Sequence, residues 1–99
     1  MLVFSMAKAG VDNFTRAMAK HLGPRGIRVN SVLPGFVATD AAAGMLDDPA
    51  TIDALIAQTA QRWPYGEPEE IAALVDALAG PEMGWVTGQI IQCNGGFKL

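Results

Sequence analysis

Gly23-Pro24-Arg25-Gly26-Ile27-Arg28-Val29-Asn30-Ser31-Val32-Leu33-Pro34-Gly35 is where one backbone periodicity gives way to another. Upstream, Ala7, Val11, Phe14, Met18 and Leu22 recur at helical spacing and lay one apolar stripe along a helix, with Ser5 as its expected N-cap. Gly23-Pro24 stops that helix and Arg25-Gly26 turns the chain. Residues 27–33 are then short, rich in β-branched side chains and closed by Pro34-Gly35, which reads as a strand. Alternation puts Ile27, Val29, Ser31 and Leu33 on one face, and a strand covered on both faces would also use Val32.

Working outward, Asp47-Asp48-Pro49 is a turn or a helix start, and Ile52, Leu55, Ile56 and Thr59 suggest a short helix ending before Trp63-Pro64. A clearer helix begins at Pro68, with Glu69 and Glu70 in the first turn, where the helix dipole favours anions. Ile71, Leu74, Val75 and Leu78 form its expected buried side, and Gly80-Pro81 ends it. Residues 86–93 contain the last strand, and Asn94-Gly95-Gly96 is a turn. The order predicts an α/β arrangement of about two strands and three helices, the strands made parallel by a right-handed crossover. Two strands do not make a stable sheet by themselves, so the pattern points to a single incomplete domain over 1–99, with structure missing upstream.

Composition narrows the function. The chain has 99 residues, 51% of them hydrophobic and 17% charged, which suits a small globular domain. A net charge of −3 with scattered Lys and Arg argues against nucleic acid as a partner. The apolar runs are interrupted by charge or Gly, which argues against a membrane span. Lys8, Asp12, Arg16 and Lys20 exclude a signal peptide from the first helix. Cys93 has no second cysteine to pair with, so a reducing, cytoplasmic setting is expected. Asp47, Asp48 and Asp53 fit no metal-loop spacing and read as a solvated turn, so no metal site is expected. His21 should be exposed. Trp63, Tyr65 and Trp85 should pack at element ends, and Cys93 should behave as a small apolar strand residue.

Four stretches in order carry a family resemblance: Phe4-Ser5-Met6-Ala7-Lys8, residues 23–39, Gly66-Glu67-Pro68-Glu69-Glu70-Ile71-Ala72, and Val86-Thr87-Gly88-Gln89-Ile90-Ile91 followed by Asn94-Gly95-Gly96. Together they resemble the C-terminal half of the short-chain dehydrogenases/reductases, in particular the 3-oxoacyl-acyl-carrier-protein-reductase-like members. The resemblance implies the C-terminal part of a Rossmann-type doubly wound parallel sheet. It also implies hydride transfer between NAD or NADP and a small-molecule carbonyl/alcohol pair.

In that family a Tyr-x-x-x-Lys pair does the acid chemistry. The phenol gives its proton to the carbonyl oxygen, while the lysine binds the nicotinamide ribose and lowers the phenol's pKa. Lys8 matches the lysine, and Phe4 occupies the tyrosine slot without a hydroxyl to donate. By the same matching, Pro34 and Gly35 turn the chain past the nicotinamide. Val37 would offer backbone groups to the carboxamide and Thr39 a hydroxyl. Residues 40 to about 62 would cover the substrate. The 5–22 helix would carry the contact in a homo-oligomer.

The departures are as definite. No Gly-rich loop opens a helix, so no residue here cradles a pyrophosphate, and no serine matches the family's catalytic serine. Asn94 stands where an acidic residue is usual. On these grounds the isolated chain is expected to be inactive. The other reading is a non-catalytic truncated member serving as an oligomerisation or interaction module. Plainer readings also stand beside the roles above: a solvated lysine for Lys8, a core aromatic for Phe4, and an N-cap pair for Thr39-Asp40.

Overall fold

The structure is a computed structural model that describes residues 2–40, 43–61 and 63–99; the side chain of Phe4 lies outside the description. Helix α1 is Leu2–Leu22, strand β1 Ser31–Pro34, helix α2 Ala43–Leu46, helix α3 Pro49–Gln58, helix α4 Pro68–Ala79 and strand β2 Ile90–Cys93. The strands form one two-stranded sheet. Ser31 N–H donates to Gln89 C=O (2.8 Å) and Gly35 N–H to Cys93 C=O (3.0 Å). Both partners advance together along the chain, so the strands are parallel, as expected. The chain divides into two compact units, Met1–Val32 with Ala77–Ile91 and Leu33–Asp76 with Gln92–Leu99.

In the first unit, α1 starts earlier than expected. Ser5 lies inside the helix rather than capping it. The helix ends where the sequence says, at Leu22, and Gly26 completes the reversal with φ 74° and its N–H on Gly23 C=O. The expected stripe packs only toward its end: Met18 and Leu22 are half-buried and Ala7 is exposed. Thr15 (5% exposed) and Ala19 (6%) are the buried residues of α1, whereas Val11 and Phe14 are exposed. Small side chains win because the helix lies close to the backbone before β2: a Cβ built on Gly88 would sit 3.4 Å from the Ala19 Cβ. Thr15 is buried without an orphan hydroxyl, since its Oγ1 donates to Val11 C=O (2.9 Å).

The first strand is also shorter than expected, beginning at Ser31 rather than Ile27. Before it, Gly88 N–H still donates to Val29 C=O (2.7 Å), and side chains stand in for the rest of the ladder. Val29 N–H donates to Thr87 Oγ1 (3.1 Å), Asn30 Nδ2 to Val86 C=O (3.0 Å), and Gln89 N–H to Asn30 Oδ1 (3.1 Å). Gly88, at φ 71°, bends the partner segment so that regular pairing cannot run through it. Arg28 ties this region together. Its guanidinium donates to the carbonyls of Leu78 (2.7 Å), Gly80 (3.3 Å) and Val86 (3.1 Å), two of them at the carbonyl-rich end of α4.

In the second unit, Asp48 is the N-cap of α3, accepting from Ala50 N–H and Thr51 Oγ1. That accounts for the carboxylate of the Asp47-Asp48 pair that faces the helix. Leu55 is the buried residue of α3, and Ile56 is exposed. Helix α4 begins at Pro68 as expected, with Glu67 N–H donating to Glu70 Oε2 (2.8 Å) across its first turn. Ile71, Leu74 and Leu78 are half-buried, but Val75 is half exposed, against expectation. The short helix α2 was not legible in the sequence. The expected packing of the tryptophans is not observed: Trp63 is 74% and Trp85 99% exposed, and Tyr65 is half-buried. Each tryptophan lies in a connection between elements, where no neighbouring element of its own unit covers it. His21 is exposed, as expected.

Candidate active site

Lys8 belongs to the first unit and sits in the second turn of α1, exposed and four residues after Phe4 in the same helix. It shares a helical row with half-buried Asp12 and buried Thr15 and Ala19, at spacings of four, three and four. The lysine therefore lies on the side of α1 that packs, not on the exposed apolar side.

The other candidates, Pro34, Gly35, Val37 and Thr39, belong to the second unit. They form the turn at the carboxyl end of β1, where open α/β sheets place their ligands. This loop is held by backbone bonds. Gly35 N–H reaches Cys93 C=O, Gly66 N–H donates to Phe36 C=O (2.8 Å), and Ala38 N–H donates to Gly66 C=O (2.9 Å), so Val37 and Gly66 form a short parallel bridge. Thr39 N–H turns back onto Val37 C=O (2.8 Å). Thr39 is exposed and Val37 half-buried.

Gly35 is required by closeness. A Cβ there would come within 2.6 Å of Asn94 Cβ and 2.8 Å of Asn94 Cα. The loop therefore crosses directly over the end of β2, and Pro34-Gly35 can make its turn only with the smallest residue at the crossing. Behind it lies a cavity of about 110 Å³ bordered by Phe36, Trp63, Tyr65, Ile71, Cys93 and Asn94. Binding sites for drug-sized ligands run to roughly 300–1,000 Å³, so this cavity cannot hold a nicotinamide nucleotide.

Reading the sequence missed two supports of this loop. Gly66 was recognised only as the lead-in to α4, although it pairs with Phe36 and Ala38. Phe97 went unremarked, although its ring meets Phe36 edge to face at 6.0 Å and 75°. A glycine before a capped helix was an available signal for Gly66, whereas nothing in the pattern marked Phe97.

A family model described as enoyl-(acyl carrier protein) reductase matches residues 1–98. The 3-oxoacyl-(acyl-carrier-protein) reductase FabG of Vibrio cholerae is 44% identical over 97 residues, which is 97% of this chain and 38% of that protein. Among solved structures, a 3-oxoacyl-(acyl-carrier protein) reductase from Brucella melitensis superposes with a TM-score of 0.86 at 32% identity, covering 97% of this chain and 35% of that one. A short-chain dehydrogenase/reductase from Serratia marcescens gives 0.86 at 40% identity, covering 98% and 38%. The chain thus spans little more than a third of the length of the relatives it matches. These matches run over nearly the whole of the chain, and the chain belongs to the short-chain dehydrogenase/reductase family.

Proposed function

We propose that this chain supplies the nicotinamide-side half of an NAD- or NADP-dependent oxidoreductase acting on a carbonyl/alcohol pair. The observation that carries the reading is the Pro34–Thr39 loop, fixed at the carboxyl end of β1 by Gly66 and Cys93. Bound there, the cofactor supplies the hydride. The chain's own groups fit such a guest. Phe36 C=O and Ala38 N–H are taken by Gly66 and Val37 C=O by Thr39 N–H, which leaves the Val37 N–H and the exposed Thr39 hydroxyl as the groups to meet a carboxamide. Lys8 would bind the ribose and place a positive charge beside the reacting oxygen. Residues 43–61 would cover a small-molecule substrate. Phe4 cannot donate a proton, and no Gly-rich loop holds the pyrophosphate, so the chain alone should be inactive. A reducing, cytoplasmic setting agrees with the single cysteine, Cys93.

A second reading is an oligomerisation module. It is favoured by the exposed apolar residues Val3, Met6, Val11 and Phe14 on α1, which would serve contact with another copy. Assaying the purified chain with NADH and NADPH against a panel of aldehydes and ketones tests the first reading. No turnover is expected from the chain alone; steady turnover would show that it needs neither a phenol at position 4 nor a phosphate-binding half.

A further inference from the structure

The C-terminal turn meets the loop at 35–39, and nothing in the proposed chemistry yet uses it. The turn is built to stay in place. Gly95 and Gly96 take φ of 65° and 77°, which glycine adopts without strain. Asn94 Oδ1 accepts from Gly96 N–H (3.0 Å), and Asn94 C=O accepts from Phe97 N–H (3.2 Å). On the far side, the end of α3 and the residues after it run antiparallel to the turn. Lys98 N–H donates to Gln58 C=O (2.8 Å), Ala60 N–H to Gly96 C=O (3.3 Å) and Gln61 N–H to Gly95 C=O (3.0 Å). These bonds anchor residues 95–98 independently of the loop. From that anchor Phe97 presents its ring to Phe36, edge to face. Phe36 is the residue whose carbonyl accepts from Gly66 and so opens the bridge that shapes the loop.

We infer that Phe97 is a positioning residue for the nicotinamide loop, acting through Phe36 on the pairing of residues 36–38 with Gly66. The loop's role rests on the function proposed above; the mechanical link does not. The test is residue-resolved amide exchange, by NMR, on the full chain, Phe97→Ala and Phe97→Tyr, each with and without NADH. In Phe97→Ala, exchange at Ala38 and Gly66 should rise about three- to tenfold, the range set by losing one aromatic pair. Ser31 and Gly88, bonded in the other unit, should not change. Phe97→Tyr keeps the ring and should restore protection. Unchanged exchange at Ala38 and Gly66, an equal rise at all four amides, or no rescue by tyrosine would each overturn the inference. Shifts of the Val37 and Thr39 amides on adding NADH would support the loop's cofactor role. With or without such shifts, the exchange result decides the part Phe97 plays.

Discussion

Phe4 differs from tyrosine by one oxygen atom, and that atom is the proton donor of the family's chemistry. Phe4 and Lys8 keep the four-residue spacing of the family's Tyr-x-x-x-Lys pair. Restoring the hydroxyl should therefore matter only where a cofactor can bind. In a protein that places a Gly-rich nucleotide-binding half upstream of this chain, Phe4→Tyr should raise kcat for carbonyl reduction by about 10²–10⁴, measured as NAD(P)H oxidation. An equal rate with either residue would mean that another group supplies the proton. Gly35 makes a sharper structural prediction. A methyl at position 35 meets the Cα of Asn94 as well as its Cβ, so no rotamer change can clear it. Gly35→Ala should cost about 1–3 kcal/mol in urea unfolding. Adding Asn94→Gly should recover only part, because the methyl still collides with the backbone at position 94.

Arg28 shows how one residue can hold an element. Its planar guanidinium serves three carbonyls at once, including that of Leu78 in the last turn of α4 and that of Gly80 just beyond it. A lysine ammonium is a single point and cannot reproduce that fork. Arg28→Ala should lower the urea midpoint by the equivalent of about 2–3 kcal/mol, and Arg28→Lys by roughly half of that. A loss no larger than that at an exposed arginine such as Arg16 would show that the three bonds contribute nothing net. What the sequence made legible follows the same division. Elements whose ends are set by local chemistry were readable: Pro68 with Glu69 and Glu70 for α4, Asp47-Asp48-Pro49 for the start of α3, and the Gly23-Pro24 stop for α1. Features decided by a distant neighbour were not. Ile27–Asn30 fell out of the strand because Gly88 and the Thr87 hydroxyl lie opposite them. Ala19 is buried where α1 comes close to Gly88, whose added Cβ would sit 3.4 Å from the Ala19 Cβ. The same holds at the candidate site. Pro34-Gly35 announces itself as a turn, but its crossing over Asn94 and its support by Phe97 come from residues about sixty positions away.

The described residues leave more large apolar side chains exposed than buried. Ala19 and Leu55 are the buried apolar residues among those described, whereas Leu2, Val3, Met6, Val11 and Phe14 are exposed along α1. The sheet has two strands, so each keeps one edge without a partner among the described residues. No described helix is long and apolar enough to cross a membrane. A protein surface would cover the apolar residues of α1, and a second copy offers the same stripe. Sedimentation should therefore show the chain associating at micromolar concentration. Val11→Glu with Phe14→Glu should shift it to monomer, because two carboxylates cannot be desolvated in such an interface at less than several kcal/mol. The paired control is Trp85→Glu, which removes an exposed aromatic away from the helix and should leave association unchanged. If the control dissociates the chain and the helix variant does not, the self-association surface lies at the turn before β2, and α1 is left free to face a different surface.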